Sequence, residues 1–87
     1  SYDELMTAIV QKEISIVGQE VALRIARSVP GVNIADDGTV TEGSKAKLKI
    51  LIDVFKELSG GMAVVFAKKA IASLLSGQED LPDELKS

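Results

Sequence analysis

The chain contains no cysteine and no histidine. Without cysteine there is no disulfide to staple the fold and no thiolate to serve as nucleophile or metal ligand. Without histidine, the usual proton shuttle near neutral pH, the Ser-His-Asp triad and the common zinc sites fall away as well. Aromatics are almost missing: Tyr2, Phe55 and Phe66 are the full set, with no tryptophan. A core must therefore be built from Leu, Ile, Val and Ala, which suits helix packing. No apolar run reaches the roughly 18–20 residues that a membrane span requires. The opening "SYDEL" is acidic where a signal peptide would be basic, so the expected setting is cytoplasmic.

What is present is an unusually apolar chain for its size. The 87 residues are 46% hydrophobic, with a mean hydropathy of +0.21. A chain of this length has room for one core and buries about 60–65% of its unfolded surface. Small domains need proportionally more polar covering, so some apolar surface is expected to remain uncovered. The net charge of −3 is unevenly spread: six lysines lie between Gly43 and Lys69 against only Asp53 and Glu57, a local net of +4. An acidic C-terminal stretch opposite this basic middle favours intramolecular or head-to-tail pairing, and the overall acidity weighs against nucleic acid as a partner.

Punctuation by glycine and proline divides the chain into four helical patterns and one short extended region. The first helix is expected from Ser1 or Asp3, with Leu5, Met6, Ile9, Val10, Ile14 and Val17 on its inner face and a break at Gly18. The second runs from Gln19 to about Ser28, with Val21, Ala22, Ile25, Ala26 and Val29 as its stripe and Leu23 off it, and ends before Pro30-Gly31. "VNIADDGTVTE" then alternates around Asp37-Gly38, a tight-turn dipeptide, and predicts a short hairpin whose Val32, Ile34 and Val40 fold onto the helices. Ser44 is placed to cap a third helix with an inner stripe of Leu48, Leu51, Ile52, Phe55 and Leu58. A fourth is expected over Gly61 to Ser76, closed by Gly77. The expected fold is thus an all-α, four-helix bundle-like domain with a short hairpin between helices two and three, over residues 1–77, followed by a charged tail, 78–87, holding at most one turn started by Pro82.

The motifs that carry chemistry are incomplete. Aligning Gly38 with the glycine of a calcium loop puts Ala35 and Ser44 where oxygen donors, one of them a bidentate glutamate, are required. "SGG" before the fourth helix lacks the glycine spacing and the lysine of a phosphate loop. Adjacent Asp36 and Asp37 sit in a turn, in water, where neither acquires the raised pKa of an acid–base catalyst. The size and acidity are similar to those of acyl carrier proteins, yet no Asp-Ser pair exists to carry a prosthetic group. No enzyme, cofactor or metal site is expected.

The remaining signal is the fourth helix, apolar almost all the way round. Either it is central, wrapped by the other three, or it completes its burial against another molecule. The second reading expects a non-catalytic protein–protein interaction or oligomerisation module, regulatory or assembly in role, forming a homodimer through Ile50, Val54, Met62, Val65, Phe66, Lys69 and Ala72. Two alternatives stand beside it. One is a small nucleic-acid-binding regulator using Lys45, Lys49 and Lys56; the other is a carrier holding a hydrophobic small ligand in the bundle interior.

Overall fold

A computed structural model describes residues 1–76 and 80–86. The protein is an all-α domain of four helices with a short antiparallel β-hairpin between the second and third. Helix α1 spans Tyr2–Val17, α2 Gln19–Ala26, α3 Lys45–Ser59 and α4 Met62–Ile71; the strands are β1, Asn33–Ile34, and β2, Val40–Thr41.

Several helix ends have a local cause. Ser1 caps α1 through a capping box with Glu4, the serine oxygen accepting from the Glu4 N–H and the glutamate answering to the cap. Gly18, at φ +90°, breaks the chain between α1 and α2 with a single residue. Ser44 accepts the Lys47 N–H at 3.1 Å and starts α3 without a capping box. Gly60, at φ +58°, ends α3, and its N–H bonds back to Lys56 O at 2.7 Å.

The hairpin pairs Asn33 with Thr41 and Ile34 with Val40. Only Gly38 of the Asp37-Gly38 dipeptide takes positive φ. The turn is therefore wider than a two-residue one, closed by Gly38 N–H to Ala35 O at 2.9 Å and Ala35 N–H to Thr39 O at 2.9 Å. Two strands this short are unstable alone, and α1 supplies the missing support. Thr7 Oγ1 accepts the Val40 N–H at 2.8 Å and Asp3 Oδ1 accepts the Gly43 N–H at 2.7 Å. Arg27, just past α2, donates to Ile34 O at 2.7 Å. Ile34 and Val40 are buried and Val32 packs on the core, as the alternation predicts.

The central helix is α1, packed by α2, α4, β2 and, more lightly, α3. Helix α4 is not central. Its buried positions are Ala63, Ala67 and Ile71, with Val64 and Ala70 partly covered. The small alanines let α4 lie close to its neighbours and leave its larger side chains outside. The α-helix stops at Ile71 and continues as a 3-10 turn, Ala72–Leu74, so it is shorter than the glycine punctuation predicts. The expected closure at Gly77 lies outside the described residues.

Two side chains sit differently from the sequence pattern. Leu23 is 5% exposed while Val21 and Ile25 are only partly buried, so α2 is rotated relative to its predicted stripe. A helix of two turns contacts α1 over too short a length for periodicity to fix its facing. Leu58, predicted inside, is 36% exposed, because it lies in the last turn of α3 where the chain leaves the core toward Gly60.

Residues 80–86, set apart by composition as a charged tail, lie against the helices. Pro82 precedes a 3-10 turn, Asp83–Leu85, and Leu81 and Leu85 join the core cluster.

Candidate functional site

On α3 the two faces expected to carry function separate cleanly. Lys45, Lys49 and Lys56 fall on one flank at intervals of four and seven residues, while Ile50 and Val54 fall on the other. On α4 the spacing of Met62, Val65, Phe66 and Lys69 places them together, opposite the alanine line that faces the core, and Ala72 follows them at the start of the 3-10 turn.

None of the seven apolar-face residues belongs to the fully buried core. Met62 is 49% exposed, Val65 and Ile50 39% each. Lys69 and Ala72 are exposed; Val54 and Phe66 are half-buried, Val54 packed on the core's edge. Leu74 and Leu75, past the end of α4, are also exposed, and Leu74 lines a shallow cleft with Thr7, Ala8 and Val40. Lys68 and Lys69 occupy the last turn, where the negative end of the helix dipole favours them.

The lysine row meets an acidic strap. Lys45 Nζ pairs with Asp80 at 2.8 Å, and Glu84 is shared by Lys49 at 3.2 Å and by Lys56, while Lys49 also holds Asp53 at 2.9 Å. The Tyr2 hydroxyl donates to Asp80 O at 2.7 Å. These contacts move the charges as expected. The Asp80 hydrogen bond raises Lys45, and those of Asp53 and Glu84 raise Lys49. Lys45 in turn lowers Asp80. Burial pushes Glu84 up, but Lys56 and Lys49 together outweigh it and hold its carboxyl below the ordinary value. An open cleft beside the strap is lined by Lys45, Ala46, Lys49, Pro82, Asp83 and Glu84.

One residue carries a signal that charge counting overlooks. Glu13 is 1% exposed, and neither of its carboxylate oxygens has a hydrogen-bond partner. Burial pushes its carboxyl above the usual carboxylate range; the neighbouring Ser59 hydroxyl opposes that rise without overcoming it or closing a hydrogen bond. The spacing holds the clue: Glu13 continues the inner line of Met6, Ile9 and Val10 by intervals of three and four.

The turn acids behave as turn acids. Asp37 is exposed, and its carboxylate accepts the Thr39 N–H at 2.9 Å, which lowers its pKa. Among the described residues no group of three or more acidic side chains is arranged to hold a metal ion, and no helix is long and apolar enough to cross a membrane. Comparison of the chain with protein-family models, with curated proteins and with solved structures finds no match.

Proposed function

We propose that this chain is a non-catalytic interaction module that self-associates through the outer face of α4. The observation that carries the reading is the exposure of Met62 and Val65 beside half-buried Phe66, on the face opposite the alanine line, with exposed Ala72 following them. Side chains of this kind left together in water favour association, and a two-fold pair of identical faces is the commonest way to cover them. Ile50 and Val54 of α3 add a second, smaller apolar strip. A regulatory or assembly role is the one that fits a module built to associate.

The lysines give weaker support to a nucleic-acid role, since Lys45, Lys49 and Lys56 already face Asp80, Glu84 and, for Lys49, Asp53. A carrier role draws little support from the interior, where Leu5, Met6, Leu48, Leu51, Ile52 and Phe55 are packed to 0–1% exposure.

Sedimentation equilibrium tests the self-association. At about 100 μM, a concentration at which even modest interfaces populate dimers, the wild type should sediment as a dimer. Val65→Glu, at a position already open to water, should sediment as a monomer with unchanged helical circular dichroism. A monomeric wild type removes the proposal.

A further inference from the structure

The segment Asp80 to Lys86 is held in an unusual way for the end of a core. Its backbone hydrogen bonds are local, Leu85 N–H to Pro82 O and Lys86 N–H to Asp83 O. Among the described residues the single hydrogen bond that ties its backbone to the helices is the one from the Tyr2 hydroxyl to Asp80 O. Everything else is side chain: Leu81 at 9% and Leu85 at 2% exposure, buried Pro82, and two carboxylates on three lysines. With a single backbone tie to the helices, the segment has fewer backbone bonds to break on leaving than a strand or a helix would.

The groups that hold it also form a short linear pattern, "DLPDEL", with leucines four residues apart and an acid before each. Nothing in that pattern requires the segment to be covalently attached to the helices that receive it. The receiving side has capacity to spare. Lys45 and Lys49 side chains are 47% and 50% exposed, each ammonium carries three donors, and the open cleft beside them gives an incoming carboxylate access while the strap is still seated.

We propose that the seat formed by the α3 lysine row, α4 and the first turn of α1 is a docking site for an acidic peptide segment bearing two leucines four residues apart, with residues 80–86 acting as its built-in competitor. The partner's leucines replace Leu81 and Leu85, and its carboxylates replace Asp80 and Glu84 on Lys45, Lys49 and Lys56. Charge complementarity selects the partner: a basic or neutral segment meets three ammonium groups with nothing to offer them. The seat is read from its own ion pairs and from the burial of Leu81 and Leu85, so it does not rest on association through α4.

The test uses the full chain and a labelled peptide with the sequence of residues 80–86. Because a tethered competitor acts at an effective concentration of the order of millimolar, the wild type should take up this peptide weakly. D80K/E84K repels its own strap and should bind the peptide about tenfold tighter or better by fluorescence anisotropy, with affinity falling as salt rises from about 20 to about 300 mM. Adding K49E/K56E to that variant reverses the seat, lets the basic strap return and should abolish uptake of the acidic peptide. A peptide with both leucines replaced by serine should not bind. If D80K/E84K keeps its helical circular dichroism and still takes up no peptide at low salt, the seat is only structural and the proposal fails. Should that variant lose its helices, the wild type decides: millimolar peptide should move the methyl resonances of Leu81 and Leu85 to free-chain positions, and resonances that stay fixed overturn the proposal.

Discussion

Replacing Glu13 by Gln isolates the one buried carboxyl, among the described residues, whose burial the fold does not offset. In the folded chain this carboxyl is 1% exposed, without a hydrogen bond to either oxygen, and burial raises its pKa above the ordinary value of 4.5. In the unfolded chain it titrates normally. The folded state therefore keeps its proton to higher pH than the unfolded state does. For such a raised acid the favourable linkage is fully present below pH 4.5 and is lost as pH rises through the folded value. The loss proceeds at no more than about 1.4 kcal/mol per pH unit, the limit for one proton. On a domain of this length each kcal/mol corresponds to about 4–8 °C in Tm.

Urea midpoints measured for wild type and Glu13→Gln at a series of pH values give the difference directly. Wild type should lose stability relative to Glu13→Gln as pH rises above 4.5, until the difference becomes constant once the folded carboxyl has ionised. The lowered acids Asp37, Asp80 and Glu84 work in the opposite direction, losing their contribution as pH falls through their folded values, and they cancel because both proteins contain them. Glu13→Met, which removes both orphaned oxygens and fills similar volume, should exceed wild type by about 1–3 kcal/mol once the carboxyl is ionised. A difference between wild type and Glu13→Gln that stays flat from pH 4.5 upward would show that the carboxyl is solvated in the folded protein, and would refute the reasoning.

Two further substitutions probe the hairpin. Gly38→Ala should cost more than Gly18→Ala in a urea melt: both positions have φ near +90°, but a Cβ at Gly38 meets Gln11 Cγ at 2.9 Å and Ile14 Cδ1 at 3.0 Å, whereas nothing lies within 4 Å at Gly18. Equal costs, each near the roughly 1–3 kcal/mol of strain for a side chain at a glycine-favoured positive φ, would mean that the α1 side chains move aside freely. Thr7→Val keeps shape but strands the Val40 N–H, now bonded at 2.8 Å, and should cost about 1 kcal/mol. Thr7→Ser keeps the acceptor and should be the more stable of the two variants, and a Val variant as stable as wild type would show that this hydrogen bond contributes nothing.

The four helices and the hairpin were legible because glycine, proline and serine mark their ends, and those residues act through local backbone geometry that needs no tertiary knowledge. Side-chain facing was legible where helices are long: Leu5, Met6, Ile9 and Val10 on α1, and Leu48, Leu51, Ile52 and Phe55 on α3, are all buried. It failed where contact is short or ends early, at Leu23 and Leu58. The candidate surfaces divide in the same way. An intramolecular pairing between the basic middle and the acidic end was readable from charge alone, but not that Glu84 would be shared by Lys49 and Lys56, which depends on where Leu81 and Leu85 anchor the strap. The burial of Glu13 was not legible although its spacing sits on the inner line, because burying an unpaired carboxylate is costly enough that composition argues against it.

The surplus of apolar side chains on α4 has a further meaning once the packing is known. A helix that needed only to hide one face would place its bulk inward and its polar residues outward. Here the inward line is Ala63, Ala67 and Ala70 with Ile71, and the outward line holds Met62 and Val65. Core packing explains the alanines, since small side chains bring α4 close to its neighbours. It does not explain Met62 or Val65, which could be polar without loss to the core. The outer line is thus a separate property of the sequence, and stability measurements on single chains will register it weakly. Mass in solution, with and without Val65→Glu, is the measurement that reaches it.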